Sequence, residues 1–94
     1  MIDIEARARL CLFVTSTSPA SEAARKNLES VLAETGSAID DVEIVDVLDD
    51  PGSALEAGVM VTPTLSIIRN KKRLLIAGRL TDIGQVAARI NGLG

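Results

Sequence analysis

Residues 59 to 68 read VMVTPTLSII, and the fold turns on how Pro63 is placed within them. The run is rich in β-branched residues, as a strand should be, but a proline has no N–H to give a strand ladder. Either Pro63 stands at the start of the strand, or the Thr62-Pro63 bond takes an unusual form. The flanking segments decide.

Downstream, Thr64 to Ile68 reads as a strand, Asn70-Lys71 as a turn and Arg73 to Ala77 as a further strand, which makes a β-hairpin. Thr81 or Asp82 caps a last helix whose Ile83, Val86, Ala87 and Ile90 share one face, with Gly92 beyond its end. Upstream, Asp50-Pro51 caps and opens a short helix that Gly58 ends, and Val42 to Leu48 (VEIVDVL) precedes it as a strand. Arg9 to Thr15 is apolar on both faces, as a central strand covered on each side must be. Between these two strands lies a long helix. Ser18 is its N-cap, Pro19 its first residue and Glu22 an acid suited to the dipole, while Ala20, Ala24, Leu28, Val31 and Leu32 form its apolar face and Gly36 its stop. Two strands joined through one helix form a right-handed parallel βαβ unit. The predicted order is βαβαββα, an α/β domain with helices on both faces of a four-stranded mixed sheet. Residues 1–94 form one domain, with residues 1–8 expected to be a flexible N-terminal segment.

Composition restricts function sharply. The chain is 47% hydrophobic but 1% aromatic, Phe13 being the sole ring, so the core is aliphatic and no stacking platform exists for bases or sugars. A net charge of −3 argues against nucleic acid as a partner. The one basic cluster, Arg69 to Arg73, reads as a solvated hairpin turn. One cysteine and no histidine leave no intramolecular disulfide, no Cys/His zinc site and no histidine-activated nucleophile. Asp46, Asp49 and Asp50 could form a carboxylate cluster, but Asp46 falls on a strand and the other two in the following turn, where Asp50 is the cap. No cofactor or metal is expected. The N-terminal MIDIEARA lacks the apolar region of a signal peptide, and no apolar run approaches a membrane span, so a cytoplasmic protein without membrane contact is expected.

The element order resembles the thioredoxin-like fold. That resemblance implies a sheet of order 2-1-3-4 and a cis bond before the third strand, with Pro63 in that position. Redox members of the fold carry C-x-x-C where the first helix begins, because the helix N-terminus stabilises a thiolate. Here residues 15–21 read TSTSPAS. Ser18 and Ser21 have the spacing of the thiols but no base to activate them, and Cys11, mid-strand, reads as a small core hydrophobe. The chemistry is missing, so the domain is read as a binding surface and not as an enzyme.

Four stretches carry a closer resemblance: L-x-L-F-V-x-x-x-S-P-x-S (Leu10 to Ser21), I-V-D-V-L-x-D-P (Ile44 to Pro51), T-P-T-L (Thr62 to Leu65) and I-x-G-x-L (Ile76 to Leu80). In this order and spacing, over about residues 8 to 90, they resemble the KaiB family of circadian clock proteins, with the sensor domain of the SasA histidine kinase as a relative. The resemblance implies a non-enzymatic regulator of a KaiC-type ATPase, with KaiA-like or SasA-like proteins in the same system, and a metamorphic fold in which the thioredoxin-like monomer is the binding state. A sensor or adaptor module on a histidine kinase or other protein, without redox activity, is the alternative. The sequence departs from the clock pattern at Ala23, Asp49 and Gly58, where basic residues are usual, while Lys26 keeps the basic character of the first helix. Lys26, Asp46 and Asp49 are the expected partner-binding residues. Where clock proteins carry a proline run, this chain has Asn70, Lys71 and Lys72, and Arg89 and Asn91 replace a Gly and an Asp. These five residues are expected to fix the fold-switched, thioredoxin-like state in a monomer.

Overall fold

The computed structural model describes residues 8–16, 18–37 and 39–92. The expectation of a flexible N-terminal segment therefore falls, apart from Ala8, outside the described residues. The elements run β1 (Arg9–Val14), α1 (Pro19–Thr35), β2 (Glu43–Asp46), α2 (Pro51–Ala57), β3 (Thr64–Arg69), β4 (Lys72–Ala77) and α3 (Ile83–Ile90), with a 3₁₀ turn at Ile39–Asp41 before β2. The sheet order is β2-β1-β3-β4. β1 pairs parallel with β2 and antiparallel with β3, and β3 pairs antiparallel with β4. This is the thioredoxin-like arrangement with the expected strand order.

Local chemistry sets each boundary. The Ser18 hydroxyl accepts from the Ser21 N–H at the start of α1, and Gly36, at φ 80°, ends the helix in the left-handed region. α2 runs from the Asp50 cap to Gly58 at φ 79°. For α3, the sequence left Thr81 and Asp82 open as caps, and Asp82 is the residue whose side chain accepts, from the Gln85 N–H. β2 is shorter than its apolar run. It stops at Asp46 because the Asp46 carboxylate accepts from the Leu48 N–H at 2.9 Å and its carbonyl from Asp49 and Asp50, which folds Val47 to Asp49 into a turn. Asn70 and Lys71, at φ 52° and 66°, make the two-residue turn between β3 and β4.

Alternation along β1 divides the interior in two. Leu12 and Val14 join Leu65, Ile67, Leu28, Val31, Leu32, Val86 and Ile90 in the main core beneath α1 and α3. On the opposite face, Phe13 packs with Ala54 and Ala57 of α2, and with the partly buried Cys11, Val45, Val47 and Val59. Each buried aliphatic side chain contributes about 1.5–3 kcal/mol. The main core accordingly holds the sheet, and α2 is a smaller cover on its other side. Among the described residues no helix is long and apolar enough to cross a membrane.

Candidate functional site

Pro63 is buried directly before β3, its bond to Thr62 is cis, and its carbonyl accepts from the Gly78 N–H at 2.9 Å. The missing N–H therefore lies outside the ladder, which disposes of the conflict in the sequence. Across from it stands the β1–α1 loop. Thr15 Oγ1 and Thr62 Oγ1 are 2.8 Å apart, and the Thr15 N–H donates to the Ser21 hydroxyl at 3.0 Å. The buried Ser21 thus ties the loop to the first turn of α1. Thr17 of this loop lies outside the described residues.

None of these hydroxyls has a base beside it among the described residues, and the sole thiol is elsewhere. Cys11 is half-buried on the α2 side of the sheet, where burial, followed by the charge and hydrogen bond of Glu43, pushes the thiol up to about 11 despite the opposing Arg73. A thiol so placed is protonated at neutral pH. What this end of the domain presents is a shaped surface with its hydroxyls bonded to one another and to the backbone.

That surface continues from Pro63 to α2. A cleft is lined by Val47, Ala54, Val59, Met60, Val61 and Thr62. Of its lining, Met60 is 93% exposed and Val61 58%, and Leu48 and Leu55, next in the chain to the lining residues Val47 and Ala54, are 72% and 83% exposed. Acids border it. Asp46 is held below the usual carboxylate range, first by the Leu48 N–H and then by the Ser16 hydroxyl. Asp50 is held down by the hydroxyl and N–H of Ser53, at 2.7 and 3.1 Å. Both carboxylates are therefore ionised well below neutrality.

The expected partner residues divide between two places. Asp46 and Asp49 are neighbours in the β2–α2 turn, the Asp49 N–H donating to the Asp46 carbonyl at 3.0 Å. Lys26 lines a shallow groove on α1 with Glu22, Ala23, Arg25 and Glu29. Asn70 and Lys71 form the hairpin turn and Lys72 opens β4, while Arg89 and Asn91 lie at the end of α3. Sequence reasoning missed the apolar rim and the Thr15–Thr62 contact. Exposed Met60 and Leu55 could be suspected once the short helix was placed, because they lie off its buried Ala54 and Ala57, but nothing in the sequence joins two threonines 47 positions apart.

A sheet of this order, a cis-proline before β3 and no thiol at the start of α1 define a thioredoxin-like domain lacking the redox pair. Solved thioredoxin-like domains superpose on it closely. The N-terminal domain of Synechococcus elongatus SasA matches with a TM-score of 0.72 at 26% identity, covering 99% of this chain and 88% of that one. The germline-specific thioredoxin Deadhead of Drosophila melanogaster matches with a TM-score of 0.71 at 18% identity, covering 95% and 83%. The family model described as the KaiB domain matches residues 11–89. The circadian clock oscillator protein KaiB of Rippkaea orientalis is 32% identical over 82 residues, 87% of this chain and 79% of that protein. KaiB of a Nostoc species is 36% identical over 73 residues, 78% and 68% of the two chains. The chain belongs to the KaiB family.

Proposed function

We propose that this chain is a regulatory binding protein without catalytic activity that acts on a KaiC-type ATPase, in a circadian clock or a related signalling system. The observation that carries the reading is the apolar cleft next to Pro63, lined by Val47, Ala54, Val59, Thr62 and the exposed Met60 and Val61. Exposed apolar side chains around a cleft suit contact with a partner protein. Asp46 and Asp49 set the charge of the partner that fits, while Lys26 serves a second point of contact on α1. The free β2 edge can add a strand from a KaiA-like protein. The protein works as a cytoplasmic monomer resting in the thioredoxin-like state, with Asn70, Lys71, Lys72, Arg89 and Asn91 holding it there.

Size-exclusion chromatography with a nucleotide-loaded KaiC homologue tests the proposal. A stable co-eluting complex is expected, weakened at least tenfold by Met60→Glu and by charge reversal at Asp49. Absence of a complex at tens of micromolar, or one indifferent to these changes, overturns it. The match to the SasA N-terminal domain favours a second reading, a sensor or adaptor bound to a histidine kinase. Co-elution with a kinase and not with the ATPase would select that reading.

A further inference from the structure

The two edges of the sheet differ in a way that family membership does not explain. Five of the ten Lys and Arg residues fall at Arg69, Lys71, Lys72, Arg73 and Arg79, in a stretch from Arg69 to Thr81 that contains no acid. In a chain with net charge −3, this stretch forms β4 and both of its ends. β4 is the outer strand, beyond β3.

Its backbone is available. The Gly78 N–H donates to the Pro63 carbonyl, and in an antiparallel ladder such mutually bonded pairs recur at every second residue. With Ile76 opposite Leu65 and Leu74 opposite Ile67, these residues bond inward to β3. The N–H and C=O groups of Arg73, Leu75 and Ala77 consequently point away from the sheet. The strand is also uncovered on its α2 side, because α2 packs on Phe13 and leaves Arg73, Leu75 and Ala77 exposed. On the other side a cleft runs between Leu74, Leu75, Ile76 and Ala77 and the Gln85, Val86 and Arg89 side chains of α3. Exposed edges of this length are normally protected or used.

We infer that the β4 edge docks an extended, acidic segment of a partner protein, which adds to the sheet as a fifth strand. The alternating donors and acceptors suit a peptide backbone. A phosphodiester chain brings acceptors alone, and the one aromatic ring, Phe13, is buried and cannot stack on a base. Lys72 and Arg73 attract acids at one end of the strand and Arg79 at the other, while Arg89 faces the side chains that enter the cleft. A second copy fits less well. Its own acidic strand, β2, has Glu43 bonded to Cys11 and Asp46 bonded to Leu48.

NMR titration of the full chain with a capped octapeptide of alternating valine and glutamate tests this in 50 mM salt. Shifts and at least tenfold slower amide exchange are expected at Arg73, Leu75 and Ala77, with roughly tenfold weaker binding in 0.5 M salt. Alternating valine-lysine peptide should bind at least tenfold more weakly. Ala77→Pro removes an outward N–H that the domain itself does not use and should abolish binding while the other signals stay in place. Should that variant not fold, the Lys72→Glu, Arg73→Glu double variant decides, by reversing the preference between the two peptides. The inference is overturned by shifts confined to β2 or the α2 cleft, by equal binding of both peptides, by no binding at millimolar peptide, or by tighter binding of an eight-residue oligothymidylate. Salt-sensitive self-association in sedimentation would assign the edge to a second copy and overturn it too. Because no KaiC-type protein is present, the outcome is separate from the function proposed above.

Discussion

Replacing Lys71 by proline should break the hairpin that makes this chain thioredoxin-like. Asn70 and Lys71 sit at φ 52° and 66°, between the paired residues Arg69 and Lys72. Both central positions of such a turn need positive φ. A pyrrolidine ring holds φ near −65°, about 130° away, so the turn cannot form around it. Losing the outermost pair removes two backbone hydrogen bonds, worth about 1 kcal/mol each. It also frees Arg69, whose guanidinium donates to the Ile90 carbonyl at the C-terminal end of α3 and contributes about 1.5–3 kcal/mol as a charged donor. The expected cost is about 3–5 kcal/mol, a large fraction of the stability of a small domain. Lys71→Gly has the opposite sign. It removes the side-chain penalty of the left-handed region, offset in part by unfolded-chain entropy, and should stabilise by about 0.5 kcal/mol.

Urea denaturation gives both values, and backbone NMR shows what the proline variant becomes. Loss of the Arg69–Lys72 pairing with a fall in Tm of about 12 °C or more is expected. Helix over residues 66–71 and strand over 83–90, or a tetramer, would show that the variant has adopted a different fold. If the proline variant keeps the cross-strand contacts and loses less than about 1 kcal/mol, the turn does not specify the hairpin and the reasoning is refuted.

Leu28 is fully buried in the main core, so Leu28→Ala should cost about 3 kcal/mol by denaturation; a cost under about 1 kcal/mol would mean that α1 packs loosely. Cys11, with its thiol pushed up to about 11, should react with iodoacetamide about a hundredfold more slowly at pH 7 than an ordinary thiol. Unfolded chains release this proton near pH 9 and the folded one only near 11, so stability should fall as pH rises across that window, and Cys11→Ser should remove the slope. Asp50 is held below its ordinary value of 3.8, so its cap stabilises α2 above that pH and is lost as pH falls through the lower folded value. Asp50→Ala should flatten this acid limb in a pH series of melting curves, while Asp50→Asn should keep the cap at every pH.

The elements were legible where the signal is local. Ser18, Pro19 and Gly36 mark both ends of α1 within a few bonds of the groups they satisfy, and alternation along β1 announces two covered faces. Pro63 even orders the third strand, because a missing N–H has few places to go. β2 was read too long because Val47 and Leu48 are good strand residues, and only the Asp46 carboxylate, by capturing the Leu48 N–H, ends the strand before them. The Thr15–Thr62 contact and the Arg69 link to α3 were not legible at all, since they join residues that only the assembled sheet brings together.

Exposure follows from a length that the sequence does contain. Asp50 and Gly58 allow α2 seven residues, about 10 Å of helix, against strands of six residues that extend about 20 Å. So short a helix covers Phe13 and its neighbours and does not reach β4, whose Arg73, Leu75 and Ala77 stay exposed on that face. Beyond the end of α2, Met60 and Val61 are unshielded close to Pro63, and at the far edge β4 is bare among five cations. A covering helix long enough to bury both would remove the two surfaces on which the proposed contacts depend.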